Sequence, residues 1–345
     1  MSSTPTTDQN LEQNTTLLIA RRNIFETLYY ALIDVLDTFF SRIQKAIGIN
    51  GMAYIFVLPN LLIFGVFILL PMFLNFGYAF TGGTELFLDD RPYVGTRNVE
   101  QLFQCEDLLN YRTCREDVFI RAIANTAWFV LSQVSLMVLI SLTTALILNK
   151  SIFGRAFFRS VFFYPVLLSP IVVALMWNWI LTENGIINAF LANFGIDKIQ
   201  FLTQEFWARI WVVLISVWSQ MGFYTLILLA GLQAIPGDLY EAADIDGANN
   251  WNKFWGVTLP LLMPTMLVVL VLSLIRAVQV FDIVFAFTDG GPGTATTFIV
   301  QYIYDIGFRG DRIPGMAAAA SLVMAGVLIF LTIFQIRLRS RQGEF

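Results

Sequence analysis

The sequence contains no histidine. That removes acid–base catalysis, metal ligation and haem ligation by histidine. Charge is scarce as well. Asp, Glu, Lys and Arg make up 13% of the chain, where a soluble domain carries about 25%. No GxxxxGK[ST] loop occurs, so a nucleoside triphosphate is not held by that route. The net charge is −4, and the basic residues are scattered without an aromatic-basic stripe, which sets nucleic acid aside as a partner. Met1–Asn14 is polar and lacks the charged start and apolar core of a signal peptide. Residues 1–15 read as a disordered tail.

What is abundant is apolar: 57% of the chain is hydrophobic and its mean hydropathy is +0.68. That balance belongs to an all-α polytopic membrane protein. Residues 16–50 fail as a span, because Arg21, Arg22, Glu26, Asp34, Asp37, Arg42 and Lys45 interrupt the hydrophobics. They read as one or two amphipathic helices on the cytoplasmic membrane surface, with a packed soluble helix as the other reading. A transmembrane domain over 51–340 then offers six spans. They lie at about Met52–Tyr78, Phe119–Leu148, Phe157–Leu181, Trp207–Leu229, Leu259–Phe287 and Met316–Ile336. Residues 341–345 form a short tail.

Orientation follows from the basic residues near span ends. Lys150, Arg155 and Arg159 in the 2–3 connection, Arg337, Arg339 and Arg341 at the C-terminal end, and the N-terminal arginines fall on one side. That side is expected to be the cytoplasm, with both termini in it. The 1–2 loop is then outside and holds both cysteines of the chain, Cys105 and Cys114. An oxidising compartment permits a bridge closing a small loop; two free thiols are the alternative.

Between the fourth and fifth spans lies a polar loop, 236–258. Ile235-Pro236-Gly237 stops the fourth span, and Asp238 stands three residues before Glu241, an Asp version of a capping box. A helix through Ala242, Ala243 and Ile245 is expected to break at Gly247 after about two turns. A second short helix through Trp251, Phe254 and Trp255 follows, and Leu259-Pro260 opens the fifth span. Small residues and acids on such an element suit docking to a basic partner. An ordinary amphipathic connector is the other reading.

Glu241, Ala242, Ala243, Asp246 and Gly247, then Val257 before Leu259-Pro260, resemble the EAA loop of ABC importer permeases. The family pattern usually has Ile where Val257 stands. The similarity continues through Phe281-Asp282, Asp289-Gly290-Gly291-Pro292-Gly293, Tyr302-Ile303-Tyr304, Trp177-Asn178-Trp179 and Ala230–Pro236, over about residues 52–338. The combination is similar to the maltose-type branch, which imports sugars, oligosaccharides and polyol phosphates. The resemblance implies a transport subunit without its own ATPase motif and with no cofactor of its own; ATP and Mg would belong to two partner ATPase subunits. It implies a second, non-identical permease and an extracytoplasmic substrate-binding protein. The EAA loop would form a coupling helix in a cleft of the ATPase, with Glu241 meeting a basic group and Gly247 letting the loop turn.

Polar residues inside spans are costly and mark candidate pathways. Here they include Trp177, Asn178, Gln220 beside Gly222, Tyr224, Arg276, Gln279 and Asp282. In an ideal helix Arg276, Gln279 and Val280 share a face, with Asp282 well round from it. In related permeases the fourth and fifth spans line the sugar site. Gln220, Tyr224, Arg276 and Gln279 are therefore the foremost candidate contacts. Arg276 leaves two readings open: an anionic group on the substrate, or a carboxylate of the partner permease. Asp282 reads as structural and the glycine-proline run as a turn outside the membrane.

Two other classes compete with a sugar importer subunit. A secondary transporter for a small polar solute would show repeated halves and acids at the midplane, and no clear repeat is present. A membrane enzyme would want histidine or clustered inward carboxylates.

Overall fold

The computed structural model describes residues 24–342, apart from Leu86, Leu108, Leu109, Ile152 and Asp311. The expected tail at 1–15, the start of the amphipathic segment at 16–23 and residues 343–345 lie outside the described residues. The chain divides into Met1–Leu74 and Asn75–Phe345, and each is taken by itself.

In the first unit, helix α1 runs Ile24–Phe64 and is broken at Gly48, φ 73° and ψ 175°. Glycine reaches that conformation without a Cβ penalty. Pro59 lies inside the helix. A widened turn, Gly65–Leu69, follows and leads into α2, Leu70–Ala79. Leu70 N–H bonds to Gly65 O, five residues back. The next residue, Pro71, has no N–H and would press on the carbonyl four back. The extra residue in the turn makes room for it. The same device recurs at Phe254–Thr258, where Leu259 N–H bonds to Phe254 O just before Pro260.

The second unit continues with α3 (Arg97–Leu102), α4 (Asp117–Asn149), α5 (Arg155–Phe163), α6 (Pro170–Leu181), α7 (Ile186–Ala192), α8 (Glu205–Gln233) and α9 (Gly237–Ile245). It ends with α10 (Asn250–Lys253), α11 (Leu259–Val278), α12 (Asp282–Phe287), α13 (Ile299–Phe308) and α14 (Pro314–Gln342). Among the described residues six helices are long and apolar enough to cross a membrane: Ile47–Ala79, Asp117–Asn149, Pro170–Ala192, Glu205–Gln233, Asn250–Val278 and Pro314–Gln335. Among the described residues there are two isolated bridges and no strand. The fold is all-α with six spans, as the sequence implies.

Two spans differ from their sequence expectation. The expected helix 157–181 is broken: α5 stops at Phe163, a tight turn covers Tyr164–Leu167, and α6 begins at Pro170. Pro165 and Pro170 donate no N–H, and Ser169 before Pro170 is pushed to extended backbone, φ −60° and ψ 133°. The membrane-length helix therefore shifts to Pro170–Ala192. The expected helix 259–287 also breaks, at Gln279 (φ −91°, ψ 11°) and Phe281 (φ −142°, ψ −61°). No glycine or proline marks this second break.

The core joins α4, α8, α11 and α12 around Phe129, Met137, Tyr224, Leu228, Leu262 and Val284. Two glycines of α8 let neighbours lie flush on it. A Cβ at Gly222 would stand 2.3 Å from Phe162 O, and one at Gly231 would stand 2.6 Å from Thr265 Oγ1. A second cluster packs Phe119, Tyr302, Met316 and Ala318–Ala320 where α13 and α14 meet the start of α4.

Candidate functional site

The Glu241 segment folds as α9, a bend and α10. Pro236 is the N-cap of α9 and accepts no side-chain cap bond. Asp238 thus sits in the first turn, where the helix dipole favours a carboxylate, and does not form the expected capping box. The C-terminal end is closed by backbone alone: Gly247 N–H bonds to Asp244 O at 3.1 Å and Ala248 N–H to Ala243 O at 2.9 Å. This paired closure needs a left-handed residue, and Gly247 supplies it at φ 74°. Glu241, Ala242, Asp246 and Gly247 are exposed and Ala243 is half-buried. Ile245, beside the bend, is 87% exposed.

The second short helix is not separate from the fifth span. Asn249 caps α10 by accepting Asn252 N–H at 2.9 Å, and the chain stays helical from Asn250 to Val278. The widened turn before Pro260 explains why Leu259-Pro260 continues this helix instead of opening it. Two contacts fasten α9 to this base: the Lys253–Asp244 ion pair and the Tyr240–Thr258 hydroxyl pair at 3.0 Å. α9 is thereby tied to the foot of the fifth span.

At the other end of that span lies a cavity of about 380 Å³. Four of the sequence candidates, Gln220, Tyr224, Arg276 and Gln279, line it together, with Ser219, Phe223, Phe281 and Asp282. The unforeseen breaks build it. The end of the α5–α6 connection contributes Val166, Leu168 and Pro170, and the interruption after Val278 contributes Gln279–Ile283. Gln279 is the C-cap of α11, its N–H still bonded to Ile275 O at 3.2 Å, and Arg276, Gln279 and Val280 all line the cavity. Asp282 begins a new helix. The side chains of Gln220, Tyr224, Arg276 and Gln279 form no hydrogen bond or ion pair among the described residues. Chemically the cavity offers two amides, a phenol, a hydroxyl, a guanidinium, a carboxylate and two phenyl faces. It can hydrogen-bond hydroxyls and stack on a ring.

The other candidates lie elsewhere. Trp177 packs in an aromatic cluster with Trp211 and Trp218, centroids 5.5 and 5.7 Å away. Asn178 Nδ2 donates to Phe287 O at 2.7 Å, which ties α6 to the end of α12. Gly222 faces the backbone of Phe162 and Phe163. Among the described residues no group of acids or cysteines could hold a metal.

The loop after the fifth span is built more densely than a plain turn. Asn125 Nδ2 donates to Thr294 O at 2.8 Å and Thr297 O at 3.2 Å. Arg209 Nε donates to Ala295 O at 3.0 Å, and its NH2 to Asn125 Oδ1 at 3.2 Å. Arg121 pairs with Asp117 and donates to Thr294 Oγ1 at 3.1 Å. Charges near the ends of the second and fourth helices were the available sequence signal for this cluster. Further on, Arg309 holds Asp289 through both carboxylate oxygens, at 2.9 and 3.0 Å, and this raises the guanidinium above its ordinary pKa. Burial raises the Asp305 carboxyl, against hydrogen bonding from Gln301 and the charge of Arg309. Burial, then Glu116, raises the Tyr302 phenol. Cys105 and Cys114 are joined as a disulfide with Cα atoms 4.0 Å apart. In the loop they close, Tyr111 lies under Arg121, 4.4 Å from its guanidinium.

Residues 137–343 match the family described as "Binding-protein-dependent transport system inner membrane component". The chain is 35% identical to the trehalose/maltose transport system permease protein MalF of Thermococcus litoralis, over 83% of its own length and 92% of that relative's. It is 31% identical to the lactose transport system permease protein LacF of Rhizobium radiobacter, over 87% of its length and 98% of that relative's. Its structure is similar to a chain of a bacterial ABC transporter involved in the import of the acidic polysaccharide alginate. The TM-score is 0.74 at 28% identity, covering 88% of this chain and 100% of that one. The chain belongs to the inner-membrane component family of binding-protein-dependent transport systems.

Proposed function

We propose that this chain is one permease subunit of an ATP-driven importer for a sugar or sugar derivative. A second permease completes the pathway, two ATPase subunits bind ATP and Mg, and an extracytoplasmic binding protein delivers the substrate. The chain sits in a bacterial inner membrane with both termini and the Glu241 segment in the cytoplasm. The relatives named for trehalose/maltose, lactose and alginate transport support the carbohydrate class.

The observation that carries the reading is the cavity at the break of the fifth span. Among the described residues its amides, phenol and guanidinium have no acceptor or donor, although they lie on spanning helices or, for Gln279, at the end of one. Unpaired polar groups at such depth are expensive and mark substrate pathways. The Glu241 segment supplies the drive. Its exposed acids and small residues enter an ATPase cleft, and the Lys253–Asp244 and Tyr240–Thr258 contacts pass that motion to the fifth span, which ends at the cavity. Glu241 meets a basic group of the ATPase.

The test is reconstitution of this chain with its co-expressed permease, ATPases and binding protein in proteoliposomes. A sugar should stimulate ATP hydrolysis and accumulate inside. The chain alone should transport nothing. Uptake by the chain alone on an ion gradient would overturn the reading.

A further inference from the structure

Five arginines of this unit, Arg121, Arg155, Arg159, Arg209 and Arg309, find acceptors within the chain. Arg121 is held by Asp117 and Thr294. Arg209 is held by Ala295 O and Asn125. Arg309 is held by Asp289 and Asp305. Arg155 and Arg159 share the Gln233 side-chain oxygen, at 2.8 and 3.0 Å in the amide orientation that lets it accept from both. Each of these has a structural acceptor. Arg276 has none among the described residues, and its side chain is exposed at the wall of the cavity. Asp282 lines the same cavity and makes no ion pair with it.

An arginine cannot shed its charge at any accessible pH. On a membrane-spanning helix it must find compensation. The last turn of α11 gives part of it, since the carbonyl end of a helix favours a cation. The rest of its charge stands at the cavity wall, with the Asp282 carboxylate on the same lining but not paired to it. Beside it stand Gln220, Gln279 and Tyr224, which hydrogen-bond neutral hydroxyls, and Phe223 and Phe281, whose faces suit a sugar ring. That is the equipment for a ring with hydroxyls and one negative group. A guanidinium presents paired N–H groups matching a carboxylate or phosphate.

We propose that the substrate carries an oxyanion, a carboxylate or phosphate on the sugar, and that Arg276 receives it in this cavity. The proposal rests on the carbohydrate importer reading and narrows its substrate class.

The complete complex with its binding protein is assayed in proteoliposomes for uptake of matched pairs. Uronate oligosaccharides are compared with the same oligosaccharides reduced to the neutral hydroxymethyl form. Sugar phosphates are compared with the free sugars. The wild type should take up at least one anionic member tenfold or more faster than its neutral counterpart. In Arg276→Gln that preference should collapse to within about twofold, with the loss confined to the anionic member. Arg276→Lys should keep part of it, and thereby guards against a misfolded Gln variant. A wild type that takes up neutral members as fast as anionic ones overturns the proposal and leaves the importer reading standing. So does equal depression of both members in Arg276→Gln, which places the arginine in a contact with the second permease. Failure of every sugar, charged or neutral, to be taken up removes the importer reading and the proposal together.

Discussion

The fifth span is flanked by two turns that both depend on left-handed glycines, and the two are built in opposite ways. After the span, Gly290 (φ 83°) lies against its own fold, and a Cβ there would stand 2.7 Å from Thr297 Oγ1. The carbonyls of that loop are bound by Asn125 and Arg209 from two other helices. Before the span, Gly247 (φ 74°) would meet nothing within 4 Å. Its neighbours Ile245, Trp251 and Trp255 are exposed. The first turn is closed by this chain, and its shape is fixed from within. The second is shaped by two backbone bonds and left uncovered by the rest of the described chain. A turn that is conformationally defined yet uncovered is what a docking element requires.

The widest separation between them should come from the glycines themselves. Gly290→Val combines left-handed strain of about 1–2 kcal/mol with overpacking of about 1–3 kcal/mol. Its thermal melting point should fall clearly below that of the wild type. A melting point unchanged by this substitution would mean that the loop is not closed as described.

Asn125→Ala comes next. It removes the donor to Thr294 O and Thr297 O and leaves Arg209 with one partner fewer. An unsatisfied buried polar group costs about 1–3 kcal/mol. Hydrogen exchange should speed up across 289–299 and not across 237–258. Equal acceleration in both segments would erase the distinction between the two turns.

The smallest effect on stability belongs to Gly247→Ala. Only backbone strain of about 1 kcal/mol is introduced, because no neighbour is in the way. Melting should stay close to wild type while substrate-stimulated ATP hydrolysis by the assembled complex falls. The reverse pattern, a large drop in melting with stimulation intact, would make this turn structural like the other.

Much of the architecture was legible because the bilayer imposes simple demands. Backbone polar groups must be satisfied internally, so long apolar runs become helices. The ends of the second, fourth and sixth helices lie near their sequence positions for this reason. The Glu241 bend was legible too, since Gly247 follows a short amphipathic run and only glycine closes such a helix cheaply. The third span was misplaced because Pro165 and Ser169-Pro170 sit inside an unbroken apolar stretch. Hydropathy weighs composition and ignores missing N–H donors. The break at Gln279–Phe281 carried no sequence mark at all. Of the pathway candidates, Gln220, Tyr224, Arg276 and Gln279 share one cavity, whereas Trp177 and Asn178 serve packing between helices. Both kinds are polar residues in spans, and composition cannot tell them apart.

By itself the sequence determined that the chain is a bundle of spanning helices with one polar, bent segment between the fourth and fifth. Apolar length, proline and glycine are local properties, and they act the same in any surroundings. Only the tertiary structure decided where the cavity lies and which polar side chains remain free in it. That outcome depends on which acceptor happens to stand within about 3 Å of each donor. Such distances are set by helices more than 50 residues apart in the chain, as where Arg276 joins Gln220 at one wall.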